Sequence, residues 1–161
     1  MPALLLLRHG KSDWDAGTKD EDRQLTARGR RAAKAVGLFL TRIGAVPDMA
    51  VTSPAERART TLDLAVEAGR WPCPVRVAGE LYRRGPESVL TLVRAEDPST
   101  TSLLLVGHEP TWSAVVESLT GAAVRLPTGT LVRIELERWT DAVVGGGSLT
   151  WLVPPRLLDP P

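Results

Sequence analysis

Three observations predict an α/β fold with a mostly parallel central sheet and helices on both faces. Two apolar runs, Ala3–Leu7 and Ser102–Val106, have the unbroken hydrophobicity of strands buried on both sides. Between them strand-like and helix-like periodicities alternate, the order that builds parallel strand pairs through crossover helices. The chain has 161 residues, 43% of them hydrophobic and 24% charged, which suits one globular domain with its own core.

The elements follow in order. After the first strand, Ala32, Ala33, Val36, Leu40 and Ile43 recur at helical spacing, and Thr26 is placed to cap that helix. Pro47-Asp48 breaks the chain before a short strand, Met49–Thr52. A second helix is expected from about Pro54 to Ala68, stopped by Gly69. Val75–Val77 reads as a short strand and Pro86–Arg94 as a helix with Val89, Leu90 and Val93 on one face. The second buried strand is followed by a helix over Pro110–Leu119, ended by Gly121. Thr130–Trp139 and Ser148–Val153 read as a hairpin around Gly145-Gly146-Gly147. The tail from 154 to 161 is too rich in proline to continue a sheet and is expected at the surface; no repeat or linker divides the rest.

Charge narrows the function class. Twenty basic residues against nineteen acidic ones form no basic block, so neither nucleic acid nor a membrane is indicated as a partner. The N-terminal apolar run is too short for a signal peptide or a span and has no basic residue before it. A single cysteine, Cys73, cannot form an internal disulfide and suits a reducing cytoplasm.

In a sheet of this kind ligands bind beyond the carboxyl ends of the strands. The chain's two histidines, His9 and His108, stand there, one after each buried run. Arg8 adjoins the first, and Arg57 opens the second helix, where Arg59 looks equally eligible by position. Guanidinium groups are planar, permanently charged forks suited to phosphate oxygens. Competing motifs fail: Gly10-Lys11-Ser12 lacks the first glycine of a P-loop, which Leu5 replaces. Cys73 has Gly79 where a cysteine phosphatase needs arginine, and no nucleophile elbow occurs. Two histidines without a carboxylate pair make a poor metal site, so no metal or other cofactor is implied. A basic pocket with a free imidazole remains, which favours covalent attack by histidine on phosphorus.

The segments RHGKS at 8–12, SPAERARTT at 53–61 and VGHEP at 106–110 resemble the signatures of the histidine phosphatase superfamily. SDWD at 12–15, DRQLTARGR at 22–30, ELYR at 80–83 and LPTG at 126–129 narrow the resemblance to its small SixA-like branch, the phosphohistidine phosphatases. That resemblance spans nearly the whole chain. It implies a three-layer, phosphoglycerate-mutase-like sandwich with His9 as nucleophile and Arg8, Arg57 and His108 on the phosphoryl oxygens. A cationic His108 would share that charge with the arginines, while His9 must stay neutral to attack.

Ser12 would add a hydroxyl, Gly10 would leave room for substrate, and the Glu109 backbone amide would lie at a helix N-terminus suited to anions. Glu80, after the third strand, is either the general acid or an exposed loop carboxylate; Asp13, Asp15 and Glu109 are the other acids near the motifs. Larger members carry asparagine in place of Asp15, whose charge would repel phosphate, so Asp15 is left out of the site. The short connection from Arg57 to His108 lacks the capping segments of sugar-phosphate enzymes, which implies an open site. The expected partner is a phosphorylated protein, or else a small phosphorylated substrate. A regulatory phosphate-binding module and a phosphomutase are the rival readings.

Overall fold

The computed structural model describes residues 1–14 and 17–158. Six strands form one sheet: β1 (Ala3–Arg8), β2 (Met49–Thr52), β3 (Val75–Val77), β4 (Ser102–Gly107), β5 (Leu131–Leu136) and β6 (Gly147–Val153), in the order β3-β2-β4-β1-β5-β6. The first four of that order run parallel, and the β5–β6 hairpin closes one edge antiparallel to β1. The sheet is therefore mixed, with its parallel part where crossover helices were expected.

Alternating side chains of the central strands feed two cores. Leu5 and Leu7 of β1, with Leu104 and Val106 of β4, pack against Val36, Leu40, Ala58 and Leu62 of helices α1 (Ala27–Arg42) and α2 (Glu56–Gly69). Leu4, Leu6, Leu103 and Leu105 face Val89, Val93, Val115 and Val116 of α3 (Pro86–Arg94) and α4 (Thr111–Thr120). Burial on both faces is why these strands contain no polar alternation. Three layers result, as the sequence predicts.

Most boundaries agree within a residue or two. The Thr26 side chain accepts the Gly29 amide at 3.1 Å and caps α1 as expected. The second helix departs from expectation at both ends. Pro54 lies outside it, because Ser53 Oγ turns back to accept the Ala55 amide at 3.2 Å. Gly69 lies inside it, and Arg70 takes the left-handed position with φ 55°. The glycine serves packing: a Cβ there would stand 2.2 Å from Trp71 Nε1 and 2.6 Å from the Gly37 carbonyl oxygen of α1.

One close approach positions the chemistry directly. Trp112 of α4 is fully buried, donates its indole N–H to the Leu7 carbonyl at 2.9 Å, and packs its ring against Gly107 at the end of β4. A Cβ at Gly107 would meet that ring at 2.6 Å, so alanine forces strand and helix apart just before His108. Gly107→Ala is expected to cost about 1–3 kcal/mol, as overpacking does. Gly79→Ala, whose nearest contact would be 3.9 Å away, should lie within about 0.5 kcal/mol of wild type. Urea denaturation of both variants measures the difference; equal stabilities would mean that Trp112 has room to move.

Candidate active site

Three neighbouring parallel strands end at one cleft. His9 follows β1, His108 follows β4, and Ser53 with Arg57 follows β2. The register pairs Arg8 with Gly107, and the His9 amide donates to the Gly107 carbonyl at 3.0 Å. The two imidazoles stand side by side as a result, with ring centroids 5.3 Å apart. The cleft has a volume of about 550 Å³ and is lined by Arg8, His9, Ser12, Arg57, His108 and Glu109, all expected from the sequence.

His9 is 5% exposed and held by two contacts that define its proton. Its Nδ1 lies 2.7 Å from the Gly10 carbonyl oxygen, an acceptor only, so Nδ1 carries the hydrogen. Arg57 Nε donates to Nε2 at 3.3 Å, so Nε2 presents its lone pair. Burial is the main cause that lowers the His9 pKa, to about 3; His108, Arg57 and Arg8 push the same way. The ring is neutral at pH 7, as a nucleophile must be.

His108, 9% exposed, is lowered to about 4, first by burial and then by Arg57. Burial and the charges of Arg57, Arg8 and Arg23 thus work against the cationic His108 expected from the sequence. Its Nε2 lies 2.8 Å from the hydroxyl of the fully buried Ser53, which sets the orientation of the ring.

Arg57 is 5% exposed and fixed from behind by Asp20, through the Asp20 carbonyl at 2.7 Å and carboxylate at 3.2 Å. Asp20 is a hub. It also accepts the Tyr82 hydroxyl at 2.6 Å and pairs with Arg23 at 3.4 Å and Arg83 at 3.3 Å. Burial alone would raise its carboxyl; the Tyr82 hydrogen bond and the Arg57 charge outweigh that and hold it at about 2. Arg8 donates to the Leu126 carbonyl at 2.8 Å from the segment that precedes β5. Arg8 Nε, Arg23 Nε and Nη1, and His108 Nδ1 are buried without a hydrogen-bond partner. The cleft thus holds more donors than the protein supplies acceptors for.

Two expected residues lie elsewhere. Glu80 is exposed on a 3₁₀ turn, Gly79–Leu81, and does not line the cleft. Leu81 enters the core, and the chain presents Tyr82 and Arg83 to the site instead. Gly10 serves packing rather than substrate room. A Cβ there would stand 2.7 Å from the Gly29 carbonyl oxygen of α1, and its amide donates to Thr61 Oγ1 of α2 at 3.0 Å. Glu109 reaches the rim, but its carboxylate accepts the Ser113 amide at 2.7 Å and so caps α4. Asp13 is not among the residues lining the cleft, and Asp15 lies outside the described residues.

Sequence reasoning missed Asp20, Arg23, Tyr82, Arg83 and Thr128 as members of the site. All but Asp20 fall in segments that carry the family resemblance, which was the available signal. Asp20 sits in the run Lys-Asp-Glu-Asp-Arg, which reads as a solvated charge cluster. Trp14 is 73% exposed and lies over the Arg23 guanidinium at 3.4 Å, at the rim. Among the described residues no group of three or more histidine, cysteine, aspartate or glutamate side chains is placed to hold a metal ion.

Residues 4–82 match the family model of the histidine phosphatase superfamily (branch 1). An uncharacterised protein of Mycobacterium tuberculosis is 34% identical over an alignment covering 93% of this chain and all of the relative. Among solved structures, the protein assigned as phosphohistidine phosphatase SixA from Nakamurella multipartitia superposes with a TM-score of 0.81 at 31% identity, over 96% of each chain. The corresponding SixA assignment from Agrobacterium tumefaciens gives 0.83 at 27% identity, over 96% of this chain and 99% of the other.

Both depressed histidines bear on stability. An unfolded imidazole titrates near 6.5, so below that pH the unfolded chain binds protons that the folded one refuses. Stability is full above pH 6.5 and falls as pH drops, by about 2 kcal/mol per histidine at pH 5. Thermal melting at pH 7 and pH 5 should show this loss, and His9→Asn should remove about half of it. An unchanged pH dependence in the variant would mean that His9 titrates normally in the folded protein.

Proposed function

The chain belongs to the histidine phosphatase superfamily, in its SixA-like branch, and from that premise we propose that it hydrolyses phosphohistidine on proteins. The observation that carries this reading is the His9 imidazole, neutral and locked with its Nε2 lone pair facing Arg57 and the surplus donors. An oxyanion with several acceptor oxygens is the ligand that answers such a surplus. Catalysis of phosphoryl transfer is largely positioning and neutralisation of charge on the equatorial oxygens.

In the proposed reaction His9 Nε2 forms a bond to phosphorus as the bond to the leaving group breaks. Arg57 exchanges its contact with Nε2 for a phosphoryl oxygen while Asp20 keeps it oriented. Arg8 and Arg23 take further oxygens, and neutral His108 contributes one N–H. Water then attacks the phosphorus of phospho-His9, and inorganic phosphate leaves with the water's proton as the imidazole is released.

The acids near the site support the substrate class. Among the described residues the carboxylates lining the cleft are Asp20 and Glu109. Asp20 is ionised with a pKa of about 2, and Glu109 is engaged as an acceptor at α4. Neither is poised to donate a proton to a departing alkoxide. An imidazole leaving group needs no such donor, because its ring can already be protonated near neutral pH. The cytoplasmic location read from the lone cysteine belongs to the same proposal; among the described residues no helix is long and apolar enough to cross a membrane.

Phosphate release from phosphohistidine peptides, p-nitrophenyl phosphate and phosphoserine peptides tests this reading. The first two should turn over, and the phosphoserine peptide at least about a hundredfold more slowly, the typical contribution of a missing general acid. Glu80→Gln should leave all three rates within about twofold; a selective loss on phosphoserine would restore Glu80 to the site. Rapid quenching should trap an acid-labile, alkali-stable phosphoenzyme that is absent in His9→Ala, and label on any other residue would refute the nucleophile.

Arg57→Ala should lower kcat at least about a hundredfold, as loss of a preorganised charge contact does, and Arg59→Ala should have little effect. Arg59 is exposed whereas Arg57 is buried in the cleft. Activity should survive EDTA, because arginines supply the charge that a divalent ion would otherwise provide.

A further inference from the structure

Beside the catalytic cleft runs a second groove of about 630 Å³, and it shares Lys11 and Thr128 with the cleft. Its walls are the first turns of α1, with Arg28 and Arg31, and the chain after β6, with Pro154, Pro155 and Arg156. No aspartate or glutamate is among its described lining residues. In a chain of net charge +1 this is a local concentration of cations on one face, continuous with the site that receives the phosphoryl group.

The arginines are placed against local preference. Early helical positions favour acids, because backbone amides make that end positive. Helix α1 has no acidic residue in its first turn and carries Arg28, with Arg30 and Arg31 just beyond. Arg28 in that first turn departs from the local rule, and such departures are where function is expected. The side chains, rather than the helix end, give the groove its charge.

We propose that this groove binds an acidic segment flanking the phosphorylated residue of a protein substrate, an inference that rests on the phosphoprotein reading above. The chemistry of the walls selects a polypeptide over a second small anion. Arg28, Arg31 and Arg156 are exposed, and the buried lining residues are Gly29 and Ala32, which offer no polar side chain to orient a small ligand. Exposed cations over an open groove suit several carboxylates spaced along a chain. The flat faces of Pro154 and Pro155 can pack against its backbone. Contacts of this type act chiefly on encounter and are weakened by salt.

The test uses the variant Arg28→Glu/Arg156→Glu, which leaves the cleft residues untouched. Turnover of p-nitrophenyl phosphate should stay within about twofold of wild type, which also shows that the variant folds. Two probes are compared by fluorescence anisotropy: an unphosphorylated glutamate-rich peptide and its glutamine counterpart. Wild type should prefer the glutamate peptide at least about tenfold at low salt, and the variant should lose that preference. Phosphohistidine peptides with glutamate or glutamine flanks should show the same ratio in kcat/KM.

Equal binding of the two probes by wild type, or an unchanged preference in the variant, would overturn the groove assignment. If acidic binding depends on Arg28 and Arg156 while phosphohistidine is not cleaved, the substrate reading fails and the groove stands. If cleavage is normal but indifferent to flank and variant, the groove fails and the phosphatase reading stands. Should the double variant not fold, Arg28→Gln and Arg156→Gln singly must each weaken the glutamate preference; no effect from either would refute the proposal.

Discussion

Parallel pairing of β1 with β4 is the constraint on which the rest of the site depends. Arg8 lies opposite Gly107, and the His9 amide bonds to the Gly107 carbonyl, so the histidines that follow these strands emerge as neighbours. A slip of one residue would turn either imidazole to the other side of the sheet. The register is secured by burial, since leucines on both faces of both strands enter separate cores. Trp112 adds a lock, joining the α4 layer to the Leu7 carbonyl across the face of Gly107.

Around that pair the protein manages an electrostatic conflict. Two arginines adjoin His9, and together with burial they keep both imidazoles neutral. The same crowding of cations would be costly if no anion faced it. Asp20 resolves much of the conflict by gathering Arg57, Arg23 and Arg83 with the Tyr82 hydroxyl on one carboxylate. It holds Arg57 from the side away from His9, so orientation and partial neutralisation come from one residue. The α1–α2 layer supplies the framework for this arrangement. Gly10 touches Gly29 of α1, and Thr61 of α2 accepts the Gly10 amide, so the loop that carries the nucleophile is clamped between two helices.

How much of this was legible in the sequence depends on the range of the cause. Buried strands announce themselves by composition, and the Thr26 cap and the Gly121 terminus act within a few residues. These features appear where expected. Arg8, His9, Arg57 and His108 lie at strand ends or helix starts, so locating the strands located them, and Ser12 follows in the loop after β1. Glu80 fails because a three-residue turn decides which of Glu80, Leu81 and Tyr82 faces the cleft, and that choice follows the burial of Leu81. Asp20 was invisible because nothing local distinguishes it from Asp22; its partners come from α2 and from the segment after β3.

The sequence by itself determined the layer order, the edge of the sheet where chemistry would lie, and the residues able to attack and bind phosphate. These depend on hydrophobic period, on capping, and on the chemistry of imidazole and guanidinium. Only the tertiary structure decided the state of those residues. Neutral histidines, the Arg57 contact to His9 Nε2 and the Asp20 hub each require groups distant in sequence to share one dry cleft. Protonation and orientation depend on burial and neighbouring charge, and both exist only once the strands and helices have packed.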